Sequence, residues 1–512
     1  MKDMDKNHIM YKLFLAFEQN NINYLHFKSN TNLSDSFSGK GDFDVLVDKS
    51  EIVKVEELIL AHNGKRHNPT TVGNYVGVDN WLVFDENTGI IHHLHLHYQL
   101  VTGKQFVKDY VLPWNELLFS SRIKDSEYRI YITNPNVELL LLAYRSVLKA
   151  KFFDYIKKLL GIYHMDRSMQ KEWNDMICKI SPSELESFTN LVCPNEAEEM
   201  ISIVSKKKPT SRDYLWLHNT VRTLMKPYRR YGAFTATMKT LQYQFYYKFS
   251  RYWNRLTGSM AITKKISLQG GLIIAFVGVD GAGKSTVSDE ISIWIRKKIE
   301  CRRFYMGTGE GSLPFSAKLI GRVASVGGFL RKKTGENKAH KIVIKTEQKN
   351  LSLLKNPKSF IHQYLKMQKI ISVQRNNFVK IQKMQQYRLN GGISVLDRWP
   401  QMEYVGQNDG PKIVEFKNIF GNKKFIKSKI NKEIKYLGIV KTIKPDYIFR
   451  LNISLDTCMR RKPEHKDSSY YKKKIEDLMN IKFEGSKIIE IDAELPYEEE
   501  ILLIKRILWK YI

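Results

Sequence analysis

A short stretch near the middle of the chain, Gly271–Thr286, constrains the fold more than any other part. It begins with Leu272–Val277, a continuous apolar run that is typical of a buried parallel strand. The run leads directly into Gly278–Ser285 (GVDGAGKS), a full match to the pattern G-x-x-x-x-G-K-[ST]. Apolar residues then recur every four positions, as on one face of a helix. The order of strand, glycine loop and helix predicts a site for nucleotide phosphates.

The residue types in this loop suit phosphate binding. Glycines let successive backbone N–H groups turn toward phosphate oxygens, and the following helix adds the positive end of its dipole. We expect Lys284 to reach the β- and γ-phosphates and the Ser285 hydroxyl to bind Mg²⁺, so the predicted cofactors are ATP and Mg²⁺. The residues predicted to form the nucleotide site are Gly278, Asp280, Gly281, Ala282, Gly283, Lys284, Ser285 and Thr286.

The whole chain has the composition of a folded protein. Its 512 residues suffice for about two to four domains, and its 43% apolar content is ample for real cores. No apolar run approaches the ~20 residues that span a bilayer, and the first residues lack the apolar core of a signal peptide. Four scattered cysteines without a C-x-x-C pair indicate a reducing compartment. We therefore expect a cytoplasmic protein without a transmembrane segment. The sequence does not decide the oligomeric state, and a homodimer is one possibility.

Two acidic residues begin a strand in the first part of the chain. In the segment DFDVLV, the alternation of a strand puts Asp42 and Asp44 on one face. Neighbouring carboxylates are costly unless a cation neutralises them. A D-x-D pair is one way to hold the Mg²⁺ of a phosphoryl or nucleotidyl transfer. Asp42 and Asp44 are therefore candidate Mg²⁺ ligands.

A later segment carries three histidines at alternate positions. His93, His95 and His97 fall on one face of a strand, with leucines on the other. Three imidazoles in a row could bind a metal or a phosphorylated ligand. The alternative is a half-exposed strand face with polar tips.

These features together resemble the minimal nucleotidyltransferase (polymerase-β-like) fold over Met1–Leu148. The resemblance rests on Lys28-Ser29 after a strand, a loop, and then Gly41–Val47 (GDFDVLV). His95 stands where that family carries its third carboxylate. The resemblance implies an α+β domain whose acidic pair serves nucleotidyl transfer.

The tract from Lys206 to Arg255 is strongly basic. It holds twelve lysines and arginines but one acid, Asp213, within a chain of net charge +30. Aromatic residues are interleaved with the basic ones. One interpretation is a surface that docks on anionic lipid or nucleic acid. The favoured interpretation is a helical connector that packs its aromatics between domains while its basic residues face water.

The last part of the chain contains two further candidate elements. Ile393–Pro400 predicts a buried strand with Asp397 and Arg398 at its carboxyl end, where doubly wound sheets place their ligands. Asp397 could hold Mg²⁺ through water or accept a proton from an acceptor hydroxyl, and Arg398 could stabilise the transferring phosphoryl group. Arg460–Asp467 is a dense basic segment typical of a phosphate-closing lid, with a solvated turn as the alternative.

The region Leu268–Ile512 resembles thymidylate kinase in its glycine loop, its Leu396-Asp397-Arg398-Trp399 strand end and its basic lid. The resemblance implies that Lys284, Ser285 and Thr286 serve ATP and Mg²⁺. It further implies acceptor-sugar contact by Asp280, phosphate contact by Arg398, lid roles for Arg460 and Arg461, and an acceptor-phosphate arginine near Arg375. Met306–Gly311 stands in place of the family's R-E-P-G-G-T.

The arrangement of a nucleotidyltransferase-like part followed by a kinase-like part also resembles proteins from bacterial surface-polysaccharide gene clusters.

The sequence therefore predicts an α/β protein in three parts. These are a nucleotidyltransferase-like α+β domain (1–148), a helical basic and aromatic connector (149–267) and a thymidylate kinase-like P-loop domain with a parallel sheet flanked by helices (268–512). The predicted function is ATP- and Mg²⁺-dependent transfer of phosphate to a small nucleotide or sugar-type acceptor. One alternative is nucleotidyl transfer through the D-x-D pair. Another is a nucleotide-gated binding module that docks on a polyanion.

Overall fold

The computed structural model describes residues 7–69, 72–257, 260–307, 357–406, 408–421, 423–461 and 468–512. The chain forms two compact units, Met1–Ser259 with Thr263–Leu268, and Met260–Ile262 with Gln269–Ile512. Two parts of the predicted site lie outside the described residues: Thr308–Gly311, from the segment that stands in place of R-E-P-G-G-T, and Lys462–Asp467, from the basic segment.

The first unit combines a mixed sheet with many helices. Its helices are α1 (Ile9–Gln19), α2 (Leu33–Phe37), α3 (Ile52–Ala61), α4 (Asn115–Ser121), α5 (Pro135–Leu148), α6 (Phe152–Leu159), α7 (Arg167–Ile177), α8 (Pro182–Val192), α9 (Ala197–Val204), α10 (Ser211–Leu224) and α11 (Ala233–Thr257). Its strands are β1 (Tyr24–His26), β2 (Asp42–Val47), β3 (Gly64–Asn68), β4 (Val78–Phe84), β5 (Ile91–His97), β6 (Leu100–Thr102), β7 (Tyr110–Leu112), β8 (Ile123–Lys124), β9 (Tyr131–Ile132) and β10 (Ile266–Ser267).

Eight of these strands form one sheet in the order β10-β3-β4-β5-β2-β1-β9-β8. Strands β2 and β5 lie parallel near its centre, with Asp42 beside His93 and Asp44 beside His95. Leu94 and Leu96 of β5 enter the hydrophobic core. The period-2 alternation therefore places the acidic pair and the histidines on one face of the sheet.

Helix α5 organises a second hydrophobic core in this unit. Asn134 caps the helix by accepting a hydrogen bond from the N–H of Asn136, and a proline occupies the first turn. The helix is buried along nearly its whole length. Trp173 of α7, Met200 of α9 and Leu217 of α10 share this core with Leu25 of β1. Helices beyond residue 148 thus pack with the first part of the chain in one unit.

The aromatic residues of the basic tract divide between two environments. Tyr214 on α10 is buried, as expected for a helix that packs its aromatics inside. On α11, in contrast, Phe245, Tyr252 and Trp253 are more than half exposed. The expectation that the whole tract packs its aromatics inward is therefore wrong for α11.

The second unit is a parallel α/β unit. Its described helices are α12 (Lys284–Arg296), α13 (Pro357–Leu389), α14 (Lys417–Phe420), α15 (Lys424–Leu437), α16 (Leu455–Arg461), α17 (Ser468–Asn480) and α18 (Tyr497–Trp509). Its strands are β11 (Ile273–Gly278), β12 (Cys301–Tyr305), β13 (Ile393–Asp397), β14 (Tyr447–Asn452) and β15 (Lys487–Asp492).

The five strands of this unit run parallel in the order β12-β13-β11-β14-β15. The mixed α/β class is confirmed. Phe276 and Phe449 of the central pair stack at 5.1 Å between ring centroids and are fully buried. Because ligands of parallel sheets bind beyond the carboxyl ends of the strands, the ends of β11 and β13 define the region to search.

Within the described ranges, no helix combines the length and the apolar character that crossing a membrane requires.

Candidate active site

The glycine loop connects β11 to α12 as the sequence pattern predicts. The strand ends at Gly278 and the helix begins at Lys284. Gly281 and Gly283 have φ angles of 94° and 82°. Residues with a side chain rarely adopt this left-handed conformation, whereas glycine adopts it readily, so glycine suits both positions. The turn brings the N-terminus of a 13-residue helix to the loop, where its free N–H groups can bind an anion.

Lys284 lies beneath this loop and is largely buried. The residue is 5% exposed, and its Nζ donates a hydrogen bond to the Val279 carbonyl at 2.6 Å. Burial, with the nearby charge of Arg398, lowers the pKa of Lys284 to about 8. A phosphate group beside Nζ would favour the charged amine, so the position suits a phosphate ligand.

Ser285 and Asp397 meet where the loop faces the end of β13. Asp397 is level with Phe276 of β11, and its side chain is fully buried. Its Oδ2 accepts a hydrogen bond from the Ser285 hydroxyl, whereas its Oδ1 has no hydrogen-bond partner among the described residues. A buried carboxylate oxygen without a partner is expensive. The pair therefore presents two oxygen donors of the kind that Mg²⁺ prefers, and Mg²⁺ fits this position.

Arg303 of β12 is a member of this site that the sequence did not reveal. Its guanidinium donates hydrogen bonds to the Ser288 hydroxyl at 3.1 Å and to the Ser285 carbonyl at 2.9 Å, and it lies 3.6 Å from Asp397 Oδ2. It thus fixes the first turn of α12 against Asp397. The available signal was its place on a strand next to β13 in the sheet.

Asp280 of the glycine loop forms a network of ion pairs. Lys474 Nζ lies 2.9 Å from Asp280 Oδ2, and an Arg398 nitrogen lies 3.3 Å from Oδ1. Burial acts to raise the pKa of Asp280, but Lys474, Lys284 and Arg398 hold it well below its usual value. Asp280 is therefore an anion at all working pH values. Lys474, on α17, was not singled out from the sequence.

Arg398 joins this network through an unusual backbone conformation. Its φ is 77°, which is uncommon for a residue with a side chain. Its guanidinium lies 3.5 Å from Asp409, another residue that sequence analysis missed, as well as near Asp280. Although burial opposes it, the two carboxylates raise the pKa of Arg398 above its usual value. Strained residues of this kind cluster at functional sites.

A cavity of about 110 Å³ adjoins the loop on the side of this network. Asp280, Lys284, Arg398, Trp399 and Lys474 contribute to its wall. With Lys412 and Asp409, which also line the cavity, the wall carries four cations and two anions. The charges suit a small acceptor that has both hydroxyl groups and negative charge.

The two arginines predicted for a lid occupy the last turn of α16 instead of a loop. Arg461 donates hydrogen bonds to the Gly281 carbonyl and the Ala493 carbonyl, each at 3.2 Å. Arg460 donates to the Thr457 hydroxyl at 3.3 Å. In the described residues Arg461 therefore supports the glycine loop. The lid role of the segment that follows stays a prediction.

Helix α13 supports the end of β12 near the site. Asn377 donates a hydrogen bond to the Met306 carbonyl at 2.9 Å, and Lys380 donates to the Tyr305 carbonyl at 2.8 Å. Arg375 lies on the same helix and is exposed. Its role as an acceptor-phosphate arginine stays a prediction.

The acidic pair of the first unit lies beside the three histidines. Asp42 Oδ1 is 2.9 Å from His93 Nδ1, and Asp44 Oδ1 is 3.2 Å from His95 Nδ1. His97 Nε2 is 3.4 Å from the same Asp44 oxygen. Burial, with the charge of His95, holds the pKa of His93 well below its usual value. The carboxylates and imidazoles of two neighbouring strands therefore meet on one face of the sheet.

The surroundings of Asp44 suit Mg²⁺ poorly. Lys28 Nζ lies 2.8 Å from Asp44 Oδ1 and balances its charge. Burial acts to raise the pKa of Asp44, but Lys28 and the hydrogen bonds from histidine hold it well below its usual value. Asp42, His93 and His95 offer ligand atoms within 4.8 Å of one another, a donor set that suits transition ions better than Mg²⁺. Mg²⁺ binding by Asp42 and Asp44 stays a prediction with little geometric support.

Comparison with curated proteins finds relatives over less than half of the chain. This chain is 28% identical over 228 residues to the uncharacterized ATP-binding protein YghR of Escherichia coli K12. The match covers 44% of this chain and 82% of that protein. The chain is 27% identical over 229 residues to the uncharacterized ATP-binding protein YghS of the same strain, covering 44% of this chain and 88% of that protein. No protein-family model matches the chain.

Comparison with solved structures finds deoxyadenosine kinases from M. mycoides. The form with bound dCTP is 17% identical, with a TM-score of 0.26, and covers 47% of this chain and 100% of that one. The form with bound dATP is 18% identical, also with a TM-score of 0.26, and covers 46% of this chain and 98% of that one. Likeness at this level assigns no role to individual residues, which therefore rest on the geometry of the site.

Proposed function

We propose that the second unit is an ATP- and Mg²⁺-dependent kinase that phosphorylates a small nucleotide or sugar-type acceptor. The observation that carries this proposal is the pair Ser285–Asp397, with one buried Asp397 oxygen lacking a hydrogen-bond partner, beside Lys284 of the glycine loop. Such a group of hydroxyl, carboxylate and lysine at a helix N-terminus is what a metal-bound nucleotide triphosphate requires. The ATP-binding relatives support the choice of nucleotide.

The nucleotide side of the site is built to hold charge. The N–H groups of the loop and the dipole of α12 bind the phosphates, and Lys284 contacts the terminal ones. Ser285 and Asp397 would hold Mg²⁺, which when bound neutralises charge on the β- and γ-phosphates. Arg303 keeps Ser285 and Asp397 in register through its bonds to the first turn of α12.

The acceptor side holds the attacking oxygen of the acceptor in line with the terminal phosphate. Because Lys474 keeps Asp280 ionised, Asp280 accepts a hydrogen bond from the acceptor hydroxyl and orients it, but its low pKa makes it a weak base. The attacking oxygen is a hydroxyl oxygen of a sugar-type acceptor or a phosphate oxygen of a nucleoside monophosphate, and it bonds to the γ-phosphorus as the bond to the bridging oxygen of ADP breaks. A hydroxyl nucleophile loses its proton to solvent or to a phosphate oxygen, whereas an ionised phosphate oxygen has no proton to lose. Arg398 balances the charge that spreads over the transferring group.

The sequence resemblance supports a phosphorylated acceptor. Thymidylate kinase acts on a nucleoside monophosphate, and the cationic wall formed by Arg398 and Lys474 suits a phosphate on the acceptor. A sugar phosphate satisfies the same charges. We therefore propose a phosphorylated and hydroxylated acceptor without choosing between these two.

ADP formation from ATP and Mg²⁺ tests the nucleotide part of this proposal. The purified chain is assayed with and without a mixture of nucleosides, nucleoside monophosphates, sugars and sugar phosphates. We expect Lys284→Ala to abolish ADP formation. Lys297→Ala, the same substitution at an exposed lysine just beyond α12, should leave it unchanged. Equal ADP formation by the wild type and Lys284→Ala would refute the proposal.

A further inference from the structure

Helix α11 presents an apolar stripe to the surface of the molecule. Seven side chains are between 44% and 77% exposed and recur at steps of four and three residues: Phe234, Met238, Leu241, Phe245, Phe249, Tyr252 and Leu256. At 100° per residue these steps keep all seven within an arc of about 80°. We call these seven residues the α11 stripe.

The aromatic members of this region form an ordered array. Phe245 and Phe249 stack at 5.6 Å between ring centroids, and Phe249 stacks at the same distance on Trp253, which is 51% exposed. The opposite side of the helix holds Ala236, which is fully buried. The helix therefore has one side toward its unit and an aromatic side toward the surroundings, instead of scattered single hydrophobics.

The charge of the helix selects the class of partner. Residues 233–257 contain two lysines and two arginines and no acidic residue. Lys239 and Lys248 are two of these, placed to either side of the stripe by the helical period. A 25-residue helix is about 37 Å long, which exceeds what a small ligand covers. Basic residues beside an apolar face with Tyr and Trp are typical of helices that lie in the interface of an anionic bilayer.

We propose that α11 binds the surface of a membrane that contains anionic lipid, with its stripe in the interface and its basic residues at the headgroups. The helix lies on the bilayer and does not cross it, since no described helix is suited to spanning. This binding is independent of the proposed kinase activity.

Sedimentation with vesicles tests this proposal on the full chain. Neutral phosphatidylcholine vesicles are compared with vesicles that contain about one third phosphatidylglycerol. We expect binding to the anionic vesicles and at least tenfold weaker binding to the neutral ones. The variant Phe245→Ala/Phe249→Ala should weaken binding to anionic vesicles at least tenfold, and Lys248→Glu should weaken it less and reduce its sensitivity to salt.

A matched control is available on another helix. Phe153 of α6 is 72% exposed, so Phe153→Ala removes a similar exposed ring and should leave vesicle binding unchanged. ADP formation should be the same in all these variants, so loss of vesicle binding is separable from loss of the kinase. The proposal would be overturned if the wild type bound no vesicles or bound neutral vesicles equally well. It would also be overturned if the wild type were a dimer that dissociates in the double variant, since the stripe would then be a dimer interface. Binding to single-stranded RNA instead of vesicles would overturn it as well.

Discussion

Ser285 donates a hydrogen bond to Asp397 from the first turn of α12, joining the glycine loop to the end of the neighbouring strand β13. The two residues are 112 positions apart in the chain. Because the other Asp397 oxygen is buried without a hydrogen-bond partner among the described residues, the pair is incomplete as a protein-only arrangement and suits a cation.

Asp397→Asn tests the role of this carboxylate. The change keeps the size of the side chain but removes the charge that Mg²⁺ requires. We expect kcat for ADP formation to fall by about 10²–10³, with a higher Mg²⁺ concentration for half-maximal rate. Ser394→Ala, on the same buried strand, is the control and should keep the wild-type Mg²⁺ titration. An unchanged titration for Asp397→Asn would contradict the assignment.

Lys474→Met tests the acceptor side. It removes the ion pair that keeps Asp280 ionised and oriented. We expect KM for the acceptor to rise about tenfold, while KM for ATP stays within twofold, because Lys284, Ser285 and Asp397 keep their contacts. Lys472→Met, at an exposed lysine of the same helix, should change neither value. A selective rise in KM for ATP would place Lys474 on the nucleotide side instead.

The backbone of Arg398 gives a stability prediction. Its φ of 77° costs a residue with a side chain about 1 kcal/mol relative to glycine. We therefore expect Arg398→Gly to be about 1 kcal/mol more stable than Arg398→Ala, although both lose most of the activity. Hydrogen exchange of the β11 and β13 amides, which reports the second unit separately, measures the difference. Equal protection in the two variants would show that the strain is absent.

The buried amine of Lys284 predicts a pH dependence of stability. Its folded-state pKa of about 8 lies below the usual 10.5, so burying the charged amine costs stability below pH 8. That cost declines as the pH rises from 8 to 10.5, because the amine is then neutral in the folded state. We expect Lys284→Met to be more stable than the wild type at pH 7, by up to about 3 kcal/mol. Chemical unfolding without nucleotide measures the difference in the free energy of unfolding between the two proteins. This difference should shrink as the pH rises from 8 to 10.5.

The contact between Lys28 and Asp44 predicts a structural role in the first unit. Lys28→Met leaves Asp44, which is largely buried, without its cation, and should destabilise this unit by about 1–3 kcal/mol. Lys28→Met/Asp44→Asn should recover most of the loss. Lys124→Met breaks a more exposed pair with Glu18 and should cost less than about 1 kcal/mol. Hydrogen exchange of the β2 amides at increasing urea concentrations measures the free energy of unfolding of the first unit in each variant.

The same residues separate the kinase from the alternative of nucleotidyl transfer. If Asp44 serves nucleotidyl transfer, Asp44→Asn should abolish release of pyrophosphate from a nucleoside triphosphate, and Lys284→Ala should not. Our account expects no pyrophosphate release by the wild type and unchanged ADP formation by Asp44→Asn. Pyrophosphate release that depends on Asp44 alone would move the activity to the first unit.

Local patterns predicted the parts of the site that are contiguous in sequence. The strand, glycine loop and helix around Lys284 appear where the motif requires them. The local sequence determines the turn, because Gly281 and Gly283 allow the positive φ angles that the loop adopts. The position of Asp397 at the end of β13 was predicted because parallel strands place their carboxyl ends together. Strand alternation predicted that Asp42 and Asp44 share one face and that the histidines of β5 share one face, but it did not predict that the two strands are neighbours.

Residues that join the site through tertiary contacts were not predictable. Asp280 and Lys474 are 194 positions apart, and a lysine on a basic helix gives no signal of its partner. Arg303 and Asp409 escaped notice for the same reason. The burial of aromatics was also misjudged on α11, because interleaved basic and aromatic residues fit an internal connector as well as an exposed helix. Only packing distinguishes the two.

Transfer of labelled γ-phosphate from ATP into an acceptor is the decisive measurement for the kinase, because it separates a kinase from an ATPase. The wild type, Lys284→Ala and Lys297→Ala are incubated with labelled ATP, Mg²⁺ and the acceptor mixture, and the products are separated. Our account predicts a labelled nucleotide or sugar phosphate with the wild type and Lys297→Ala, and none with Lys284→Ala. Label found only in free phosphate with every acceptor, or a labelled acceptor formed equally by Lys284→Ala, would contradict it.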